Sequence, residues 1–366
     1  MTYSVLLSAR RSPIAPRNGA FSGHSIEELS KPVILAALRD AGLQPSQVDE
    51  LIASNALGGG GNPARILALH AGLNETVSGL TIDRQCVGGL DAILIADALI
   101  RSGHCDVVVA GGVESYSRRP DRYKTFADGR PPEKYEQAQF TPWADRDPDM
   151  AQAASDLAER LRIARLEQDR WAVSSHAKAR CAPRDHFVEI GGVTDDGFTR
   201  SLNEKHCKRA PIVCGSVTAA NMSVAADGAA FVVLASATWA FDRELEGVRV
   251  LGGQTLGGNP VLPGLAPISA IRRSLDRTNL TMDDLTSIEI MEAFAVQAIA
   301  CTRGVGANIE KVNQWGGSLA WGHPIGASGA VIATQLFHQL KTTGGPGLAA
   351  IAAAGGLGTS LVLDAG

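Results

Sequence analysis

Thr81-Ile82-Asp83-Arg84-Gln85-Cys86-Val87-Gly88-Gly89-Leu90 sets a cysteine between a short strand and a long apolar helix. Residues 78–82 are strand-like and 90–100 carry apolar side chains at helical spacing, which places Cys86 at or just before a helix N-terminus. Unpaired backbone N–H groups and the positive end of the helix dipole favour a thiolate there, and the thiolate is the nucleophilic form. The two glycines that follow let a second backbone or a substrate come close. Taken alone, the same cysteine reads as a small buried hydrophobe, so the rest of the chain must decide.

Working outward, strands and helices alternate. Before Cys86, residues 3–8 and 51–57 read as strands. A helix between them opens on the capping-box spacing Ser25-Ile26-Glu27-Glu28 and ends at Gly42, with Pro32 implying a kink or a late start near Ser30. After it, 106–110 is a continuous apolar strand closed by Gly111-Gly112-Val113-Glu114-Ser115. This alternation predicts an α/β protein with a mostly parallel sheet covered on both faces. From 118 to 208 prolines, aromatics and charges replace the alternation, although 150–162 and 166–179 are helix-like. That stretch reads as an inserted loop domain over the site.

Beyond 247 the pattern repeats: strands at 248–255, 285–291 and 348–354, helices at 267–277, 293–303 and 325–340, then the turn Gly355-Gly356-Leu357-Gly358-Thr359-Ser360. The chain therefore divides into an N-terminal half, 1–117 completed by 209–240, the insertion 118–208, and a C-terminal half 247–366. In this duplication Cys86 and His323 take matching places ahead of long helices. They make a candidate nucleophile–base pair across one cleft, with backbone N–H groups of Cys86 and of the Gly355 turn available to an oxyanion; taken singly each reads first as structural, His323 as a helix cap or a satisfied core histidine and the glycines as packing devices.

The chain's 366 residues suffice for two such halves, and 45% hydrophobic content, 20% charge and a net charge of −4 give no global attraction to nucleic acid. Six cysteines without metal-ligand spacing or a disulfide framework point to reduced thiols in the cytoplasm, and no apolar run has the length and composition of a membrane span. Met1 to Arg10 enters a strand-like run without a signal-peptide core.

Four ordered motifs make the chain resemble the thiolases over nearly its whole length. Arg84 to Leu90 is similar to the nucleophile motif and Ala110-Gly111-Gly112-Val113-Glu114-Ser115 to the AGGxES turn. Thr218-Ala219-Ala220-Asn221-Met222-Ser223 with Asp227-Gly228-Ala229-Ala230 resembles TAGNAS and DGAA, and Gly322-His323-Pro324-Ile325-Gly326-Ala327-Ser328-Gly329 matches GHPxGASG. The resemblance implies duplicated αβαβα halves in five layers with an inserted loop domain. It also implies acylation of Cys86 by a thioester of coenzyme A or of an acyl-carrier protein, activation by His323, which also lines an oxyanion hole, a further oxyanion site from the Cys86 and Ala354 backbone, and a homodimer or homotetramer. No metal and no tightly bound cofactor are implied, the coenzyme A thioester being a substrate.

Two family positions depart. The CxGGGxG loop, whose cysteine removes the α-proton of the second substrate, reads Ala352-Ala353-Ala354-Gly355-Gly356-Leu357-Gly358, and the NEAF motif reads Met291-Glu292-Ala293-Phe294. Losing a positioned base costs on the order of 10²–10⁴ in rate. The sequence thus points to a thiolase-like acyltransferase that keeps the acyl-enzyme step and passes the acyl group to an acceptor that is already nucleophilic: an activated carbon acid, an amine or a carrier thiol. The alternatives are a conventional acetyl-CoA acetyltransferase or 3-ketoacyl-CoA thiolase with a base not evident in the sequence, and a non-catalytic thioester-binding subunit. A partner subunit completing the site is also compatible. Cys301 reads as core and His70 lacks motif support. Glu114, Glu292 and Asn221 read as supports of turns. Arg118, Arg119, Arg122, Lys124 and Arg130 are either a solvated face or a site for phosphates or an acidic carrier.

Overall fold

The computed structural model describes residues 3–366. Met1 and Thr2 of the expected N-terminal run lie outside them. Nine strands build the main sheet: β1 Ser4–Arg11, β2 Glu50–Ser54, β3 Leu80–Ile82, β4 Val107–Glu114, β5 Ala226–Ser236, β6 Val248–Gly257, β7 Ser287–Ile290, β8 Pro346–Ala353 and β9 Leu357–Asp364. The long helices are α1 Ile26–Asp40, α2 Pro63–Ala71, α3 Gly88–Arg101, α4 Met150–Leu161, α5 Arg165–Cys181, α6 Ala266–Thr278, α7 Ala295–Val305 and α8 Ile325–Thr343.

The strands run in the order β7-β8-β9-β6-β1-β5-β4-β2-β3, with the short strand Ala15–Pro16 pairing β5 off this path. From the central β1–β6 junction, where Val5 faces Arg249, each direction repeats one pattern. β1–β5 and β5–β4 are antiparallel, then β4–β2 and β2–β3 parallel. On the other side β6–β9 and β9–β8 are antiparallel and β8–β7 parallel, and Val312 makes a parallel bridge to Ile288 where a fifth strand would stand. The sheet is mixed, which corrects the expectation of a mostly parallel one. Parallel pairing is confined to the outer strands, where helices separate the paired strands along the chain. β8 and β9 form a hairpin through Gly355 and Gly356, both at positive φ, and a hairpin imposes antiparallel pairing. β9 was not anticipated as a strand, because its Gly-rich start reads as turn alone.

α3 and α8 pack on strands of both halves and on one another, α1 and α2 cover the outer face of one half, and α6 covers the outer face of the other. Five layers result. α8 is buried along most of its length, as a helix enclosed between the two arms of the sheet must be. Each fully buried Leu or Phe there, such as Leu336, contributes about 1.5–3 kcal/mol. The two central helices cross with almost no side chain between them. A Cβ on Gly329 would lie 2.3 Å from the Leu90 nitrogen, and one on Gly89 2.5 Å from the Ala330 nitrogen. This crossing brings the starts of α3 and α8 together.

α1 begins at Ile26, capped reciprocally by Ser25 and Glu28, and continues through Pro32. The late start near Ser30 is overturned, since the reciprocal cap satisfies the first N–H groups a full turn before the proline is reached. Between β4 and β5, α4 and α5 pack against α7.

Candidate active site

Cys86 lies in a single 3-10 turn, Gln85–Val87, two residues before α3 begins; His323 stands two residues before α8. The matching places read from the duplication therefore face each other. Gln85 adopts φ 52°, a left-handed conformation unusual for a side-chain-bearing residue, and Asp83 Oδ1 holds it by accepting from the Gln85 backbone N–H (3.0 Å) and Nε2 (3.1 Å). Arg84 Nη1 donates to Asp91 Oδ2 at 2.7 Å, and Asp91 Oδ1 accepts from Thr255 and Thr359 of β6 and β9. The cysteine turn is thereby fastened to the second half.

His323 donates its backbone N–H to Val224 O (2.8 Å), while Gly322 before it takes φ 108°. Its Nε2 lies 3.1 Å from Cys86 Sγ and its Nδ1 2.6 Å from Ser328 Oγ. Burial lowers the imidazole to about 4 and raises the Cys86 thiol to about 12, with Glu114 and Asp83 adding to the rise and the cysteine's own backbone N–H opposing it. This corrects the expectation that the helix start leaves the thiol easily ionised: desolvation outweighs the dipole. With both groups neutral, the tautomer that pairs every atom has S–H donating to Nε2 and Nδ1–H donating to Ser328, and we assign it on that ground. Such a pair transfers its proton as the sulfur attacks, when the charge on sulfur is already leaving it.

Carboxylates hold the frame. Glu114, raised to about 7 by burial, accepts from Ala56 N (3.0 Å), Leu57 N (3.2 Å), Asn55 Nδ2 (2.9 Å) and Gly326 N (3.1 Å), tying the first turn of α8 to the loop after β2. Glu292, also raised by burial, accepts from Trp171, Ser175, Asn313 and the Leu319 backbone, so it joins α5 to the loop that leads to His323. Asn221 closes its turn through Thr218 N (2.8 Å) and reaches Asp169 (3.0 Å). These are the turn supports read from the sequence.

A cleft of about 400 Å³ opens on the pair. Leu57, Leu157, Met222 and Phe294 give it apolar walls, and Ala352, Ala353 and Ala354, at the end of the strand β8 that packs on the Cys86 turn, line it as well. Met291 is absent from this lining and is packed in the central core at 1% exposure, its N–H bonded to Ala350 O. Cys301 is buried in α7 and donates to Gly264 O (3.1 Å), and His70 is exposed at the end of α2. Of the five cations considered, Arg119 and Arg122 reach the cleft; Arg119 is ion-paired with Glu136 and Arg122 bonds Ala56 O. Arg130 pairs with Asp128 and Glu133 away from it. Two residues without an assigned part emerge here: Ser328, quoted only within a motif, and Tyr116, one position beyond another. Among the described residues no group of three or more His, Cys, Asp or Glu is arranged to hold a metal, and no helix is long and apolar enough to cross a membrane.

The family descriptions "Thiolase, N-terminal domain" and "Thiolase, C-terminal domain" match residues 4–238 and 247–365. The chain is 39% identical to a putative acetyl-CoA C-acetyltransferase of Bacillus subtilis, YhfS, with 99% of each chain covered, and 34% identical to VraB of Staphylococcus aureus, which bears the same description, with 98% of each covered. Among solved structures it resembles the acetyl-CoA acetyltransferase of Bacillus anthracis (TM-score 0.93, 34% identity, 100% and 99% covered). It also resembles human mitochondrial 3-ketoacyl-CoA thiolase in complex with CoA (TM-score 0.92, 27% identity, 99% and 98% covered).

Proposed function

The chain belongs to the thiolase family and is an acyltransferase, and from that premise we propose that it forms an acyl-enzyme on Cys86 from an acyl-CoA and hands the acyl group to a nucleophilic acceptor. The observation that carries this reading is the relay Cys86–His323–Ser328, at 3.1 and 2.6 Å. In the proposed reaction Cys86 Sγ attacks the thioester carbonyl as His323 Nε2 takes its proton. The backbone N–H groups of Cys86 and Ala354, residues of one cleft wall, receive the oxyanion, and coenzyme A leaves with the proton from His323. The acceptor then repeats the sequence in reverse.

Ala352 offers no group to remove a proton from carbon, and this favours an acceptor that arrives activated. The relatives described as putative acetyl-CoA C-acetyltransferases favour a second reading, in which the chain joins two acetyl units with a base from elsewhere in the cleft. Exchange of labelled coenzyme A into acetyl-CoA separates acylation from condensation. The proposal expects exchange that Cys86→Ala abolishes, with little acetoacetyl-CoA formed; efficient condensation would favour the second reading, and absence of exchange would overturn both.

We further place the chain in the cytoplasm, as six unpaired cysteines support, and treat it as a homodimer or homotetramer. For assembly, β3 is an edge strand of the sheet, and Leu80 on it, with Ile66 and Leu69 of the adjoining α2, is 40–47% exposed. Light scattering giving a monomer at working concentrations would refute the oligomer.

A further inference from the structure

Tyr116 is a titratable side chain on the cleft wall that the acyl-transfer sequence leaves unused. The chain just after it is held: the Ser117 N–H donates to Asp227 Oδ1 (2.9 Å), and the Arg119 guanidinium, ion-paired with Glu136, lies 5.2 Å from the Tyr116 ring centroid. The ring shares the wall with Cys86, His323 and Ala352. The residue is half-buried and lines the cleft, and among the described residues its hydroxyl has no protein partner and is not one of the sealed polar atoms, so it is accessible. Burial and the nearby Cys86 and Glu114 raise the phenol to about 12, which keeps it protonated at neutral pH.

We propose that Tyr116 is a further catalytic residue, the proton donor to the carbon that leaves when a 3-oxoacyl thioester is cleaved on Cys86. The inference rests on the acyl-enzyme reading above and supplies, in the cleavage direction, the proton that Ala352 cannot; the phenolate that condensation would need is scarce at neutral pH. In this step a bond forms between Cys86 Sγ and C3, and the thiol proton passes to His323 Nε2. The C2–C3 bond breaks with its electron pair on C2, and the Tyr116 hydroxyl gives its proton to C2. The products are acyl-Cys86 and a shortened acyl-CoA, with an imidazolium and a phenolate left behind. One proton passing from the first to the second through solvent restores both. An enolate carbon is a stronger base than a phenolate, so a phenol that burial holds protonated is still a competent donor to it. A thioester such as acetyl-CoA breaks at sulfur and needs no such donor, and this difference is the basis of the test.

Cys86 acylation is followed by rapid quench and intact-protein mass with acetyl-CoA and with acetoacetyl-CoA, in the wild type and in Tyr116→Phe, which keeps the ring. The expected result is that the rate with acetoacetyl-CoA, relative to that with acetyl-CoA, falls by ~10²–10⁴ in Tyr116→Phe. A ratio unchanged within about twofold overturns the proposal, as does a wild type acylated by acetyl-CoA and not by acetoacetyl-CoA. A wild type acylated by neither donor overturns the acyl-enzyme reading and this proposal with it.

Discussion

Ser328→Ala tests the relay through its least conspicuous member. The Ser328 side chain is fully buried, and its Oγ lies 2.6 Å from His323 Nδ1. With Nδ1–H donating to it, Nε2 is left as the acceptor for the thiol. Alanine removes the acceptor and leaves a buried N–H unpaired; moving the proton to Nε2 relieves that, but the imidazole can then no longer take a proton from sulfur. As sulfur attacks, His323 becomes a cation and the bond to Ser328 becomes charge-assisted, a class that contributes about 1.5–3 kcal/mol. Loss of that energy from the transition state slows acylation by roughly 10- to 100-fold. The ground-state contacts to coenzyme A are untouched, so the acetyl-CoA concentration giving half-maximal acylation should hold while the maximal rate falls. Quenched-flow mass spectrometry of the Cys86 adduct measures both. A maximal rate within about twofold of wild type, in a variant that folds normally, would refute the assigned tautomer and the part given to Ser328.

Two other perturbations test the frame. Glu289 is buried at 1% exposure and is raised to about 8 by burial, although Gln339 Nε2 donates to its Oε1 at 2.7 Å. Below the unfolded carboxyl value of about 4.5 both states hold the proton, and between there and about 8 only the folded state does, so this group erodes stability as pH rises through that window. Glu289→Gln should therefore raise the melting temperature at pH 8.5 and leave it near wild type at pH 4.5, and an equal effect at both would refute the linkage. Gly329→Ala puts a Cβ 2.3 Å from the Leu90 nitrogen at the α3–α8 crossing and should cost about 1–3 kcal/mol in urea unfolding; an unchanged midpoint would show that the helices separate freely.

Much of this was legible in the residues themselves. The Ser25 and Glu28 spacing is a local rule, and the cap forms as local rules require. The equivalence of Cys86 and His323 follows from repetition, which survives folding because each half builds the same pairing sequence outward from β1 and β6. What the sequence concealed depends on distant partners. The helix start at Cys86 is a local signal, whereas the desolvation that holds its thiol up is set by α8 and the end of β8. Tyr116 reads as one residue beyond a turn motif, and only the folded chain sets it on the wall of the cleft that holds the nucleophile. Strand β9 is hidden for a local reason: its first half, Leu357-Gly358-Thr359-Ser360, has the composition of a turn, and only pairing with β6 and β8 makes it a strand.

The most direct test of the central claim is the intact mass of the protein after incubation with acetyl-CoA and a few longer acyl-CoAs, beside Cys86→Ala. The account expects one acyl group on the wild type, mapped to the Cys86 peptide, and none on the variant. A wild type that stays unmodified with every donor, without turnover that would deplete an adduct, or a variant acylated as fast as the wild type, would contradict it.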